Sequence, residues 1–245
     1  MSKTLKTLVA AAALAVAGAA SATPIVGIAN LTIGQVIVTN GNIDWNNDPL
    51  NIDPPPNGAT STNGDFAVIN LRTGSFLGVP VLSAGSIRDM ANPVVLPGET
   101  GNAFAMGVLT NYSNFLTFAA KPNWIFDATF LVPGLGASPF TVSQVGPNVS
   151  VTMTVLGTAC DDTSGVAGVC DATDDLTKWT GIFSAQYTNT TVAALSQTIL
   201  TGGALDNNSW SGTIEATRLP EPASLALVGL AIAGLGVASR RRAAK

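Results

Sequence analysis

Through the middle of the chain, apolar and polar residues alternate. From residue 149 to 155 the order is Val, Ser, Val, Thr, Met, Thr, Val. Val149, Val151, Met153 and Val155 fall on one face, and Ser150, Thr152 and Thr154 on the other. That period of two marks a half-buried strand. A second run places Phe126, Ala128, Phe130 and Val132 on one face and the mixed set Ile125, Asp127, Thr129 and Leu131 on the other. Further strands are predicted at residues 25–38, 66–71, 103–109, 115–118, 179–187 and 210–217. Their Thr and Val content suits strands. Turn pairs separate the runs: Asn40-Gly41, Asn57-Gly58, Asn63-Gly64, Pro97-Gly98 and Pro133-Gly134. Many short strands with recurrent turns predict an all-β body, an antiparallel β-sandwich or a jelly-roll-like fold. One short helix is expected at residues 191–200.

Two departures from the alternation matter. Residues 44–64 hold Pro49, the run Pro54-Pro55-Pro56 and many Asn and Asp. Proline cannot donate to a sheet ladder, so a long surface loop is expected there. The stretches Trp179-Thr180-Gly181 and Trp210-Ser211-Gly212, each followed by an Ala at the same offset (Ala185 and Ala216), are alike. With no third copy, two similar strands meeting in one sheet is a better reading than a repeat.

The ends follow other rules. Lys3 and Lys6 precede an apolar run at residues 8–17, and Ala20-Ser21-Ala22 is an A-x-A cleavage signal. Residues 1–22 therefore read as a secretory signal helix, with the mature chain starting at Thr23. At the other end, Pro220-Glu221-Pro222 precedes an uncharged apolar run at residues 223–239, then Arg240-Arg241-Arg242. As a helix the run reaches roughly 25 Å, short but adequate for a bilayer core. The arginine cluster favours the cytoplasmic side.

This tripartite end, with Pro220-Glu221-Pro222-Ala223-Ser224-Leu225-Ala226-Leu227, the glycine-containing apolar run and the terminal arginines, resembles the PEP-CTERM sorting signal of Gram-negative bacteria. The resemblance covers about a tenth of the chain, assigned here to residues 218–245. It implies processing by an exosortase after signal peptidase, transient inner-membrane anchoring, and delivery to the cell surface or extracellular matrix. The family accompanies exopolysaccharide and biofilm-matrix genes. Nothing in this resemblance concerns the activity of the body, residues 23–217.

Charge and composition narrow that activity. The whole chain has a formal net charge of −4, 11% charged residues and 47% hydrophobic ones. The body alone carries four basic and fourteen acidic residues, a net of −10. So acidic a body disfavours nucleic acid and favours divalent cations. The absence of His removes Ser-His-Asp and Cys-His catalysis and His-ligated metals. Neither Lys121 nor Lys178 lies in an S-x-x-K motif, and no motif pairs Glu99 or Glu215 with a second carboxylate. The body is therefore expected not to be an enzyme.

Cys160 and Cys170 are the two cysteines of an exported chain, so a structural disulfide is expected. Asp161, Asp162, Asp171, Asp174 and Asp175 surround it. They are the candidate Ca2+ ligands, although their spacing matches no calcium-loop motif, and a solvated acidic turn is the other reading. Trp45, in a polar stretch, is the candidate sugar-stacking ring; Trp124, Trp179 and Trp210 read as core or sheet-face residues. The Asn-x-Ser/Thr sequons at Asn30, Asn111, Asn148, Asn189 and Asn207 read mostly as chance in a bacterial chain. The function expected is a secreted surface or matrix protein, structural or exopolysaccharide-associated. The alternatives are a protein-binding adhesin and, third, a glycan-processing hydrolase.

Overall fold

A computed structural model describes residues 23–39, 42–45, 63–91, 107–136, 138–162, 168–171 and 174–219. The signal segment, residues 220–245 and most of the proline-rich loop lie outside these residues. Among the described residues eleven strands form one antiparallel sheet: β1 (Gly27–Thr39), β2 (Asn42–Trp45), β3 (Asn63–Arg72), β4 (Ala84–Arg88), β5 (Met90–Ala91), β6 (Gly107–Phe118), β7 (Lys121–Leu131), β8 (Phe140–Val145), β9 (Asn148–Asp161), β10 (Thr177–Tyr187) and β11 (Leu205–Arg218). Neighbours run β1-β3-β4-β6-β7-β9-β10-β11, and β11 pairs again with β1. The fold is therefore a closed eight-stranded barrel.

The all-β expectation holds, and the sandwich or jelly roll is corrected. Alternation along a strand says only that one face is buried. Whether that face meets another sheet or the inside of its own is decided by the β1–β11 pairing, in which Gly27 meets Ala216 and Ile33 meets Trp210. Closure leaves no long free edge in the ring. Three short strands lie off it: β8 pairs with β9, and β2 hangs on β1 and carries β5. The strands expected at 103–109 and 115–118 meet in a single β6, whose register against β7 slips at three places, between Val108 and Tyr112, Tyr112 and Leu116, and Leu116 and Phe118. Residues 101–106 lie outside the described set.

The barrel is filled by matching large side chains to small ones across the ladder. On β10 and β11, Trp179 lies opposite Ala216, Ile214 opposite Gly181, Phe183 opposite Gly212, and Trp210 opposite Ala185. The two similar stretches thus pair directly, each tryptophan against the other's alanine. A Cβ on Gly212 would lie 2.9 Å from the Phe183 ring, and one on Gly181 2.7 Å from Trp179. The interior has room for the rings because these positions have no side chain. Gly157 does the same on β9: a Cβ there would meet the Asp127 carbonyl oxygen at 1.9 Å and Trp179 Nε1 at 2.3 Å. Its absence lets the Trp179 indole donate to the backbone oxygens of Asp127 (3.0 Å) and Thr158 (3.1 Å).

The single helix of the described residues, α1 (Val192–Leu200), packs on β8. The Thr191 hydroxyl caps it by accepting from the Ala194 N–H at 3.1 Å, and Leu195 is its buried anchor. The two barrel ends differ in what they hold. At one, β11 finishes beside the start of β1 and of β10, the end of β3, and the Cys160–Cys170 loop. This is the exit end, from which the C-terminal segment continues. At the other lie β2, β5, β8 and α1.

Candidate functional site

Trp45 does not present a stacking face. It lies on β2 and is 1% exposed, folded inward against Phe183 at 5.2 Å and Trp210 at 6.0 Å between ring centroids. The polar residues around it suggested exposure. Pairing of Val36 with Trp45 instead turns the ring into the core, where burial of a large aromatic surface dominates. Trp124, Trp179 and Trp210 are buried as expected, and so are Tyr112 and Tyr187. Phe115 stacks on Trp179, while Phe76, Phe118, Trp124 and Phe126 make a second aromatic group. Among the described residues, every Trp and Tyr is core.

Cys160 and Cys170 form the expected disulfide, with Cα atoms 5.8 Å apart. It ties the last residues of β9 to the connection that leads to β10. The acidic residues around it engage in local bonds. Asp162 Oδ2 accepts from the Gly168 N–H at 2.6 Å, and Asp174 Oδ2 from the Asp171 N–H at 2.9 Å. Asp175 lies 3.7 Å from the Arg218 guanidinium. Asp174 is buried, and its Oδ1 has no partner. Among the described residues, no three of the acidic side chains converge as a metal-ligating group.

The carboxylates with catalytic potential are scattered. Glu215 is exposed on the outside of β11, and Glu99 lies outside the described residues. Asp127 is half-buried on β7, where its Oδ1 accepts from the Asn114 N–H at 2.8 Å. Asn114 has φ +51°, so the carboxylate fastens an irregular step in β6. Burial raises the Asp127 pKa above 3.8, and the Asn114 hydrogen bond opposes that in part.

The outer wall carries a feature that the strand patterns hint at but do not reveal. Register aligns Thr141, Thr152, Ser184, Ser211 and Thr32 across β8, β9, β10, β11 and β1. None of the five is buried. At the usual strand spacing this hydroxyl row runs roughly 19 Å around the barrel. The adjacent row holds Thr154, Ile182, Thr213 and Asn30, with the Thr213 hydroxyl donating to Asn30 Oδ1 at 2.8 Å. Each strand alone shows Ser and Thr on its polar face. Only the register shows that they line up.

Pro220, Glu221, Pro222 and Arg240, Arg241, Arg242 lie outside the described residues, as does the apolar run between them. Among the described residues no helix is long and apolar enough to cross a membrane. No curated protein and no solved structure matches the chain. Residues 219–242 match the PEP-CTERM protein-sorting motif, which implies an exported protein that an exosortase sorts to the cell surface.

Proposed function

We propose that the barrel is a non-enzymatic, exopolysaccharide-associated component of the cell surface or matrix, anchored transiently in the inner membrane by its C-terminal segment before exosortase acts. The observation that carries the polymer association is the hydroxyl row on β8-β9-β10-β11-β1. Ser and Thr hydroxyls both donate and accept, so a straight row of them matches a polymer of sugar hydroxyls. Interfaces of this kind keep bridging water and gain affinity by repetition along the polymer. With the described tryptophans and tyrosines in the core, aromatic stacking has no part in this reading. Ca2+ enters it as a bridge between acidic groups near the disulfide, Asp161, Asp162, Asp171, Asp174 and Asp175, and an anionic polymer.

The test is co-sedimentation of the exported protein with the producing cell's own exopolysaccharide, in Ca2+ and in chelator. Binding is expected, and replacing Ser184 and Ser211 together by Val should reduce the pelleted fraction severalfold. Binding that survives in chelator removes Ca2+ from the reading and keeps the hydroxyl row. If the protein stays in the supernatant in both conditions, the polymer reading falls, and binding to other surface proteins takes its place.

A further inference from the structure

Four large apolar side chains stand in solvent within twelve residues: Leu71, Leu77, Val81 and Leu82, exposed by 69%, 66%, 44% and 73%. They sit on the end of β3, on a 3-10 turn (Gly74–Gly78) and on the tight turn into β4. This stretch is firmly built. Ser75 N–H donates to the Val26 oxygen at 2.7 Å, its hydroxyl donates to the Pro24 oxygen at 3.1 Å, and that hydroxyl also accepts from the Val26 N–H at 3.1 Å. The Arg72 guanidinium donates to the Val79 oxygen, and Phe76 and Val79 are buried beneath. Leu82 has φ +60°, the left-handed region, and its N–H donates to the Val68 oxygen at 2.7 Å. Gly or Asn would adopt that conformation at less cost. The fold therefore holds a strained leucine outward in water.

The position of this patch names its occupant. It belongs to the exit end: Gly27, paired with Ala216 near the close of β11, lies against Thr73 and Gly74. β11 ends at Arg218, and only residues 219–222 separate it from the apolar run at 223–239. Fully extended, four residues reach about 14 Å. A C-terminal segment that spans the bilayer therefore holds the exit end close to the lipid surface. Lys121 lies against Gly78 in the 3-10 turn, with its ammonium 5.4 Å from the Trp124 ring. Arg72, Lys178 and Arg218 share the exit end, Arg218 beside Asp175 at 3.7 Å, and Arg88, the remaining basic residue of the described set, lies toward the other. The acidic residues of the disulfide loop lie at the same end, against β7, β9 and β10, where Asp161 pairs with Trp124 and the Asp162 N–H donates to the Asn123 oxygen at 2.8 Å, so the seating rests on the apolar side chains and on Lys121 beside them.

We propose that residues 71–82 form a membrane-seating surface, in which Leu77 and Leu82 enter the interfacial layer of a phospholipid bilayer and Lys121 faces its anionic headgroups. The inference rests on the reading that the C-terminal segment spans the membrane before processing. Apolar side chains with a cationic rim are the usual composition of such a surface. Seated this way, the end of the barrel where β11 closes at Arg218 faces the lipid surface.

The test uses the full-length chain reconstituted in vesicles of phosphatidylethanolamine and phosphatidylglycerol, without exosortase. An environment-sensitive fluorophore is placed at Leu77→Cys, at Leu82→Cys or, as the far-end control, at Val145→Cys, with the native disulfide intact. Protease protection of the C-terminal segment is measured in the same vesicles. With the segment protected, emission at 77 and 82 should shift to the blue and rise severalfold, while 145 stays aqueous, and Lys121→Gln should weaken the shift as phosphatidylglycerol is raised. A protected segment with 77 and 82 as aqueous as 145 overturns the seating surface and leaves the spanning reading intact. An unprotected segment overturns both. A blue shift accompanied by energy transfer between labels on separate chains assigns the patch to a second copy and overturns the lipid proposal.

Discussion

The β10–β11 wall and the turn at residues 71–82 use apolar residues in opposite ways. In the wall every second residue is buried, and Trp179, Phe183 and Trp210 are each matched to a Gly or Ala across the ladder. In the turn, Phe76 and Val79 are buried while Leu71, Leu77, Val81 and Leu82 stand out. The wall is optimised for closure, since a ring that is too large or a missing gap breaks the barrel. The turn accepts a left-handed leucine and exposed surface, which lower stability and serve no packing purpose. Substitutions should therefore have opposite signs in the two regions.

The largest effects belong to the wall and to β9, the strand paired with it. Gly157→Ala puts a Cβ at 1.9 Å from a backbone oxygen that cannot step aside, and is expected to cost about 3 kcal/mol, the upper end for overpacking. Trp179→Ala removes a fully buried ring and two hydrogen bonds to backbone oxygens, and is expected to cost about 4 kcal/mol. Urea unfolding of both variants checks this; a midpoint close to the parent's for either would mean that the wall is not close-packed. Removing the staple at the exit end comes next. Cys160→Ser with Cys170→Ser should cost about 2–3 kcal/mol, as a ring of this size implies. Since the disulfide closes only the β9–β10 connection, circular dichroism of the reduced form should keep the strand signal.

The same contrast explains what was legible in the sequence. The strand at 179–187 is found almost to the residue because inside and outside differ at every step. The helix expected at 191–200 is found at Val192–Leu200, and Thr191 caps it. The disulfide follows from two cysteines in an exported chain. Closure was not legible, because pairing of β1 with β11 leaves no mark on either strand by itself. Trp45 was misplaced because its neighbours are polar, whereas its burial is set by the Val36–Trp45 pairing. The hydroxyl row is a property of register between five strands. Strands β2, β4, β5 and β8 are not legible, because they are short and the pattern of none repeats long enough. Their partners, not their own periodicity, make them strands.

In the turn the sign should reverse. Leu82→Asn keeps a side chain, suits φ +60° and removes an exposed apolar group. It should raise the stability by about 1 kcal/mol, the cost of holding an ordinary residue in the left-handed region. Thermal unfolding measures it. A loss of stability instead would mean that Leu82 packs on something in the folded protein, and the exposed turn would then resemble the wall.

The smallest effect lies between the two regions, at Asp127, whose main chain receives the Trp179 indole and whose side chain fastens β6. Its folded pKa is raised above 3.8, so the native state holds its proton more tightly than the unfolded chain does. The stability it contributes is therefore present below pH 3.8 and is lost as pH rises through the raised value. At neutral pH the half-buried carboxylate is a modest burden. Asp127→Asn keeps an oxygen to accept from Asn114 and removes the charge. At pH 7 it should be as stable as the parent or more so, within about 0.5 kcal/mol. The parent's advantage from acidification should vanish in the variant over the window above pH 3.8. Unfolding midpoints across that window decide it. If the variant is instead less stable at pH 7, the negative charge itself holds the β6 irregularity, and the wall depends on an ionic fastening as well as on the fit of rings to gaps.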